Sequence, residues 1–180
     1  MRIAITGGIG SGKSYVCRLL QQRDIEVFNC DTIAKSIIAT HPAVRDELCA
    51  LVGVDDLTKQ DLGDYIRRGT DYAARVNAIV HPRVAEAFVD SGMTWMECAI
   101  LFESGFDRLV DRVVVVTCPE DERIRRITAR DHCDADTARR WLALQMTDEE
   151  RLQRADFHIV NDGTTPLEPQ LGTLLAALNP

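Results

Sequence analysis

The chain has 180 residues, a formal net charge of −7, 46% apolar residues and 27% charged residues. This length suits one compact domain with small inserted lobes. The acidic balance disfavours a general nucleic-acid surface. No apolar run approaches the roughly 20 residues that span a bilayer, and the N-terminus lacks a secretion signal. We therefore expect a cytoplasmic protein, monomeric or weakly homo-oligomeric, with no nucleic-acid or membrane partner.

The cysteines are scattered along the chain, and none of them forms a C-x-x-C pair. Several lie in apolar runs, where a reduced cysteine behaves as a small hydrophobic residue. In a chain without an export signal, free thiols are favoured over disulfides. We expect six free thiols, at Cys17, Cys30, Cys49, Cys98, Cys118 and Cys133.

Short apolar runs predict the strands of a sheet. They lack polar alternation, which is typical of strands covered on both faces of a parallel sheet. The segment between the first two runs has apolar residues at helical spacing, and strand–turn–helix–strand is a βαβ unit. The pattern predicts an α/β fold with about five parallel strands flanked by helices. The predicted strands are 2–6, 25–29, 94–100, 112–117 and 157–161.

Two stretches exceed what a single crossover connection needs. Residues 32–92 contain several helix-like segments and predict a helical insertion, and residues 119–152 open at Pro119 with a helix start and then become rich in arginine. We expect the second stretch to form a helical lid. The remaining residues, 1–31, 93–118 and 153–180, would form the core. The segments of the insertion are 32–39, 43–51, 60–68 and 71–91.

The first predicted strand is followed by GGIGSGKS, residues 7–14, which matches the full P-loop pattern Gly-x-x-x-x-Gly-Lys-Ser. Glycines let backbone N–H groups turn around an anion, and the following helix adds its positive end. Lys13 is expected to reach the β- and γ-phosphates, and the Ser14 hydroxyl to coordinate Mg²⁺. The predicted ATP contacts are Gly8, Ile9, Gly10, Ser11, Gly12, Lys13, Ser14 and Tyr15.

A P-loop predicts a nucleotide but not a reaction. The guanine-reading Asn-Lys-x-Asp motif of GTPase switches cannot occur here, because Gly12, Ala34 and Thr58 precede the three lysines. No Asp-Glu pair closes an apolar strand in the manner of motor ATPases. A small kinase needs an acceptor pocket, a base and mobile cations. The insertion is a candidate for the pocket, Asp31 for the base, and the arginine-rich stretch for the cations. Asp31 would lie at the carboxyl edge of the sheet.

The chain resembles the dephospho-CoA kinase family in several ordered segments, and the match spans nearly its whole length. Each segment is weak alone, but their order behind a P-loop is specific. The matching segments are TGGIGSGKS (6–14), FNCDTIAK (28–35), IVHPRV (79–84), ILFESG (100–105), RRITARD (125–131) and ALQMTDEERLQRADFHIVNDG (143–163).

The resemblance implies a P-loop NTPase-type core, a helical CoA-binding lobe and a lid. It also implies transfer of the ATP γ-phosphoryl group to the ribose 3′-hydroxyl of dephospho-CoA, with Mg²⁺. Lys13 and Arg126 would act on the phosphates and Asp31 would be the base. Gln145 and Asn161 would lie near the adenine side. The acceptor would meet Asp31, His81, Phe102 and Glu103.

Structural alternatives stand beside several of these roles. Asp31 could cap a helix that starts near Thr32, and His81, before Pro82, could merely pack or cap in a fixed loop. Glu103 could be a solvated loop carboxylate, or could face hydrated Mg²⁺ instead of the acceptor. Arg126 could form an i,i+4 pair with Glu122.

Two other functions also remain open from the residues. One is a related nucleoside or nucleotide kinase with another small acceptor, and the second is a nucleotide-dependent regulatory protein. The order of the motifs argues against the first, and the presence of Asp31 argues against the second.

Overall fold

The computed structural model describes residues 1–178. It divides into two compact units: Met1–Val27 together with the chain from Thr94 onward, and Phe28–Met93. We call these the sheet unit and the helical unit. The residues of the predicted lid belong to the sheet unit, so the three-part division stays a prediction.

The strands form one sheet in the order β2–β3–β1–β4–β5. β1 pairs in parallel with both β3 and β4, and β4 pairs in parallel with β5. The predicted α/β fold is confirmed, and the loop after the central strand β1 lies where the chain switches from one side of the sheet to the other. The strands are β1 Ile3–Thr6, β2 Val27–Asn29, β3 Trp95–Glu97, β4 Arg112–Thr117 and β5 Phe157–Val160.

The third strand is shorter than predicted, because it ends at Glu97 and not at residue 100. The backbone after Cys98 forms a series of turns. Leu101 and Phe102 lie in these turns and are nevertheless buried, at 0% and 8% exposure. Their burial explains why this part of the sequence is apolar. The apolar run continues beyond the end of β3, and for this reason it predicted a longer strand.

Nine α-helices lie within residues 1–178. The longest of them, α5, has 22 residues. In this described part of the chain, no helix combines the length and apolar character that crossing a membrane requires. The helices are α1 Lys13–Gln21, α2 Cys30–Thr40, α3 Pro42–Val52, α4 Lys59–Ile66, α5 Thr70–Ser91, α6 Glu120–Asp131, α7 Ala135–Ala143, α8 Asp148–Leu152 and α9 Leu167–Leu178.

Helices α1 and α9 contribute to the main core of the sheet unit. Val16 and Leu20 of α1 cluster with Val114 of the sheet and with Leu171 and Leu174 of α9. These side chains recur at helical spacing on their helices, which places them on one face. Their burial anchors the start of α1, and therefore the loop before it, to the sheet.

A smaller core holds the first two helices of the predicted lid together. Ile124 and Ile127 of α6 pack with Ala138 of α7, and Ile9 of the glycine loop packs against this cluster. Burial of apolar area is the main favourable term in such contacts. The helices α6 and α7 are thereby attached to the loop through an apolar side chain.

In the helical unit, helices α2, α3 and α4 pack on α5. The buried face of α5 carries Val76, Val80, Val84 and Phe88 at helical spacing. Phe88 meets Phe28 edge to face, with ring centroids 5.3 Å apart. The predicted helical insertion is thus a small bundle with its own core.

The expectation of a loop at His81–Pro82 is wrong, because α5 continues through both residues. Proline lacks the N–H that would donate to the preceding turn, so it is rare inside helices. The apolar stripe of Val76, Val80 and Val84 on either side of it is buried. Tertiary packing of this stripe outweighs the local preference of proline.

The six cysteines carry free thiols, as the scattered spacing predicted. Cys17, Cys30, Cys98 and Cys118 are buried, whereas Cys49 and Cys133 are partly exposed. The buried thiols act as small apolar residues of the cores.

Candidate active site

The loop between β1 and α1 has the backbone geometry of an anion-binding turn. Gly10 and Gly12 take φ values of 79° and 89°, in the left-handed region that side chains disfavour. The N–H of Ser11 donates to the Gly8 carbonyl at 3.2 Å. Tyr15, at the start of α1, is half exposed, and the guanidinium of Arg18 lies 5.5 Å from its ring centre.

Lys13 is buried within this loop. Its Nζ donates to the carbonyl oxygens of Gly7 and Gly8, at 2.7 and 3.1 Å. Burial lowers the pKa of Lys13 from 10.5 to about 8, while the nearby Glu97 carboxylate opposes this change. The ammonium group is therefore held at the loop that phosphates would enter.

Ser14 donates its hydroxyl to Glu97, with Oγ 2.7 Å from Oε1. Glu97 is the last residue of β3 and is 8% exposed. The sequence predictions did not include Glu97 in the site. Its signal was a carboxylate inside the apolar run TWMECAI, which is unusual for a buried strand.

The pairing of Ser14 and Glu97 bears on where Mg²⁺ could bind. Mg²⁺ prefers hard oxygen ligands, and in kinases it takes most of them from phosphates and water. No group of three histidine, cysteine or acidic residues suited to a metal occurs within residues 1–178. A hydroxyl beside a buried carboxylate fits a Mg²⁺ ion that arrives with the nucleotide.

Arg123 of α6 lies directly over the loop. Its Nε donates to the Ile9 carbonyl at 2.8 Å, and the residue is 9% exposed. A Cβ placed on Gly8 would lie 2.0 Å from Nη2 of Arg123, so a side chain at this position would displace the guanidinium. Sequence reasoning noted Arg123 only as one of several arginines.

Arg126 forms the i,i+4 pair with Glu122 and also reaches the glycine loop, and its contact with the ATP phosphates stays a prediction. Its Nε donates to Oε1 of Glu122 at 2.8 Å, which is the i,i+4 pair. Its Nη2 donates to the Asn161 carbonyl at 3.1 Å, and its Nη1 lies 3.4 Å from the Gly10 carbonyl. The guanidinium is therefore at the glycine loop while paired with Glu122.

Gln145 and Asn161 also lie against the loop. The side-chain oxygen of Gln145 accepts from the Ile9 N–H at 2.7 Å. The side-chain amide of Asn161 donates to the Ser11 carbonyl at 2.8 Å. Both contacts are with the phosphate loop, and the placement of these residues near adenine stays a prediction.

Phe102 and Glu103 lie in the turns after β3. Phe102 is buried, and the guanidinium of Arg154 lies 4.0 Å from its ring centre. Oε1 of Glu103 lies 3.8 Å from Nη2 of Arg151, a fully buried arginine that also pairs with Asp148. Glu103 therefore faces an internal cation.

A cavity of about 490 Å³ lies between the end of β4 and helices α6 to α8. Arg123, Gln145 and Asp148 line it, and the first two of these side chains also contact the glycine loop. Such concave spaces with a few convergent polar groups are typical of small-molecule sites.

The helical unit holds two predicted site residues, Asp31 and His81. Asp31 lies in the first turn of α2, is largely exposed, and accepts from Lys35 Nζ at 2.5 Å. The helix cap is Asn29, whose side chain accepts from the Thr32 N–H at 2.8 Å. The alternative role of Asp31 as the cap is thus wrong. His81 is half-buried, and burial lowers its pKa.

The model of the family described as "Dephospho-CoA kinase" matches residues 1–166. A dephospho-CoA kinase of Bacteroides fragilis is 41% identical over 190 residues, covering 99% of this chain and 93% of that protein. A dephospho-CoA kinase of Salinibacter ruber is 35% identical, covering 90% of this chain and 89% of that protein.

Solved structures agree with this fold. A protein of Thermus thermophilus has a TM-score of 0.84 and 28% identity, covering 99% of this chain and 96% of that one. A dephospho-CoA kinase of Campylobacter jejuni has a TM-score of 0.66 at 20% identity, covering 99% and 95%. A shikimate kinase of Acinetobacter baumannii has a TM-score of 0.59 at 16% identity, covering 99% of this chain and 93% of that one. The last two likenesses concern the fold alone.

Proposed function

The chain belongs to the dephospho-CoA kinase family, and from this premise we propose how its residues phosphorylate dephospho-CoA. The γ-phosphoryl group of ATP moves to the 3′-hydroxyl of the dephospho-CoA ribose, giving CoA and ADP. The hydroxyl oxygen forms the new bond to phosphorus, and the bond from phosphorus to the β–γ bridging oxygen breaks. The hydroxyl proton passes to a base of the protein.

The glycine loop and Lys13 bind the phosphates of ATP in this mechanism. Backbone N–H groups around Gly10 and Gly12 surround the phosphate oxygens. Lys13 exchanges its two carbonyl partners for β- and γ-phosphate oxygens, which carry full negative charge and make stronger hydrogen bonds. The buried position of Lys13 supports this role, because electrostatic attraction is stronger where water is excluded.

Ser14 and Glu97 would hold Mg²⁺ on the nucleotide. The Ser14 hydroxyl would hold the ion, and Glu97 would orient that hydroxyl. When bound, Mg²⁺ neutralises part of the charge on the β- and γ-phosphates. The 2.7 Å contact between Ser14 and Glu97 supports this assignment.

Arg126 and Arg123 bring positive charge to the phosphates from α6. A guanidinium can bind two oxygens at once, which suits a phosphoryl group in transfer. The ion pair between Arg126 and Glu122 fixes the direction of the side chain. Gln145 and Asn161 hold the loop backbone through Ile9 and Ser11.

Asp31 would accept the proton of the 3′-hydroxyl. Its exposure leaves the carboxylate open to an acceptor, and Asn29 carries the capping role in its place. His81, Phe102 and Glu103 would contact the acceptor. A positioned base contributes about 10²- to 10⁴-fold to the rate.

The proposed setting is the cytoplasm, with ATP and dephospho-CoA as small-molecule substrates and Mg²⁺ as the cofactor. We expect a monomer or weak homo-oligomer without nucleic-acid or membrane partners. The net charge of −7 supports the absence of nucleic acid.

The observation that carries the proposal is the family match over residues 1–166, together with the formed glycine loop around Lys13. The test is ADP formation from Mg·ATP with dephospho-CoA, adenosine, shikimate or water as the acceptor. We expect dephospho-CoA to give by far the highest rate. A higher rate with adenosine or shikimate would favour another P-loop kinase activity.

A further inference from the structure

Arg151 of α8 is a fully buried cation that the proposed mechanism does not use. Its side chain is 0% exposed, and it is the largest of the fully buried side chains of the described residues. Arginine is almost never buried to this degree unless its charge is paired. The position of this guanidinium therefore requires an explanation.

The guanidinium of Arg151 is only partly paired. Its Nη1 donates to Oδ1 of Asp148 at 3.2 Å. Its Nη2 lies 3.8 Å from Oε1 of Glu103, which is an ion pair but too long for a hydrogen bond. Nε and Nη2 have no hydrogen-bond partner within residues 1–178. A buried donor without an acceptor costs free energy, so these two donors fit an acceptor that comes from outside the chain.

Contacts connect Arg151 to the phosphate loop. Asp148 accepts from Arg151 through Oδ1 and from Arg123 through Oδ2, the latter at 3.3 Å. Arg123 in turn donates to the Ile9 carbonyl of the loop. One carboxylate thus holds two guanidinium groups side by side.

Arg151 lies among charged side chains of both signs. Burial is the main cause that lowers the pKa of Lys13 and of Arg151. Arg123 acts in the same direction on both groups, and Arg151 on Lys13, whereas the carboxylates of Glu97, at Lys13, and of Glu103 and Asp148, at Arg151, oppose it. The carboxylates offset part of the repulsion between these cations. A polyphosphate bound beside Arg151 would reduce the remaining repulsion, which favours its binding.

We propose that Nε and Nη2 of Arg151 bind an oxygen of the γ-phosphoryl group while it moves from ATP to the acceptor. This makes Arg151 a catalytic residue in addition to those that the family resemblance implies, and the proposal rests on the proposed function. No proton moves to or from Arg151. Its charge neutralises the phosphoryl oxygens during transfer, with Asp148 and Glu103 fixing the guanidinium.

The test compares Arg151→Met and Arg151→Lys with the wild-type chain. Methionine keeps an unbranched apolar chain in place of the aliphatic part of arginine and removes the charge, and lysine keeps the charge without the fork of donors. Arg112→Met is the matched control, because Arg112 is half exposed at the start of β4 and pairs with Asp156 at 3.6 Å. We expect kcat to fall about 100-fold or more in Arg151→Met, by an intermediate factor in Arg151→Lys, and not measurably in Arg112→Met.

A binding measurement separates this role from a merely structural one. Calorimetry gives the affinity for Mg·ADP alone and for Mg·ADP with aluminium fluoride and dephospho-CoA, which imitates the phosphoryl group in transfer. We expect Arg151→Met to weaken the aluminium fluoride complex about 100-fold or more, and to change the ADP affinity by less than about threefold. Equal weakening of both complexes, or a kcat within about threefold of wild type, would overturn the proposal.

An NMR measurement on the wild-type chain tests the Arg151 contact without a substitution at this position. If Arg151→Met does not fold, the Nε–H signal of Arg151 is followed in the ¹⁵N-labelled wild-type chain and assigned with Arg151→Lys. We expect it to shift when aluminium fluoride joins ADP and dephospho-CoA, and an unchanged signal would refute the contact.

Wild-type turnover of dephospho-CoA tests the proposed function separately. A rise in the dephospho-CoA KM alone would place Arg151 on the acceptor and overturn the proposal.

Discussion

The Lys13 ammonium group donates to carbonyl oxygens of its own loop, so the protein holds this cation through neutral acceptors. Neutral carbonyls compensate a buried charge less well than phosphates do. This explains why burial dominates its pKa, which lies at about 8 in place of 10.5. Between these two pH values, the folded free chain binds fewer protons at Lys13 than the unfolded chain does.

The first prediction concerns proton uptake by Lys13. Above pH 8, part of the free protein carries neutral Lys13, and bound phosphates raise the pKa of Lys13. Binding of Mg·ATP at pH 8.5 to 9.5 should therefore take up protons, whereas binding at pH 7 should not. Calorimetry in buffers of different ionisation enthalpy measures the number of protons taken up on binding.

The control for this prediction is Lys13→Arg, because a guanidinium stays charged throughout this range. We expect no uptake by this variant at ATP concentrations that saturate it. Equal uptake by wild type and variant would assign the proton to another group.

The second prediction concerns Asp31. Asp31→Asn keeps the shape of the side chain and removes the proposed base, so kcat should fall about 100-fold or more while ATP affinity stays nearly unchanged. Steady-state kinetics with dephospho-CoA give both values. Asp46→Asn, at an exposed position of α3, is the control and should retain wild-type turnover. A near-normal kcat in Asp31→Asn would exclude Asp31 as the base.

At the scale of elements, the P-loop is held from two sides. β5 is followed by Asn161, which donates to Ser11, and α6 places Arg123 over Gly8. A Cβ on Gly12 would lie 2.0 Å from the side-chain nitrogen of Asn161. A side chain at Gly12 would therefore be strained, for reasons of both φ and space.

The third prediction compares two glycines. Gly12→Ala should lower the free energy of unfolding by about 2 kcal/mol, because alanine is strained in the left-handed region, and should weaken ATP binding. Gly172→Ala lies in α9, where an added Cβ meets no atom within 4 Å. It should raise that free energy by about 0.5–1 kcal/mol. Urea denaturation measures both, and a stable Gly12→Ala chain with normal ATP binding would contradict the loop geometry.

The fourth prediction concerns the proline inside α5. Pro82 is exposed on the helix, so Pro82→Ala restores a backbone donor without disturbing the buried face. We expect the free energy of unfolding to rise by about 1–3 kcal/mol. Val89→Ala, at an exposed position of the same helix, should change it by less than about 0.5 kcal/mol. Destabilisation by Pro82→Ala would show that the proline ring packs favourably.

Local patterns predicted the elements well, and tertiary contacts explain what they missed. Apolar runs located the strands, and helical spacing located the helices of the insertion, to within a few residues. Glu97 and Arg123 were missed because their roles depend on contacts with Ser14 and Ile9, which are distant in sequence. The cap at Asn29 was missed because two neighbouring residues, Asn29 and Asp31, both have capping chemistry.

For the whole molecule, the two units carry different parts of the predicted site. The sheet unit contains the glycine loop, Glu97 and the arginines of α6, and the helical unit contains Asp31 and His81. The P-loop predicted only a nucleotide, whereas the ordered motifs around Asp31, His81 and Glu103 predicted the acceptor. Dephospho-CoA kinase membership is confirmed by the family match over residues 1–166.

The most direct test of the whole account is to identify the product made from dephospho-CoA and Mg·ATP. Phosphorus NMR and mass spectrometry of a completed reaction should show one ADP formed for each CoA. The new phosphomonoester should lie on the 3′-oxygen of the ribose, and no product should form without the acceptor. ADP released equally in water alone, or a phosphate attached at any other position, would contradict the account.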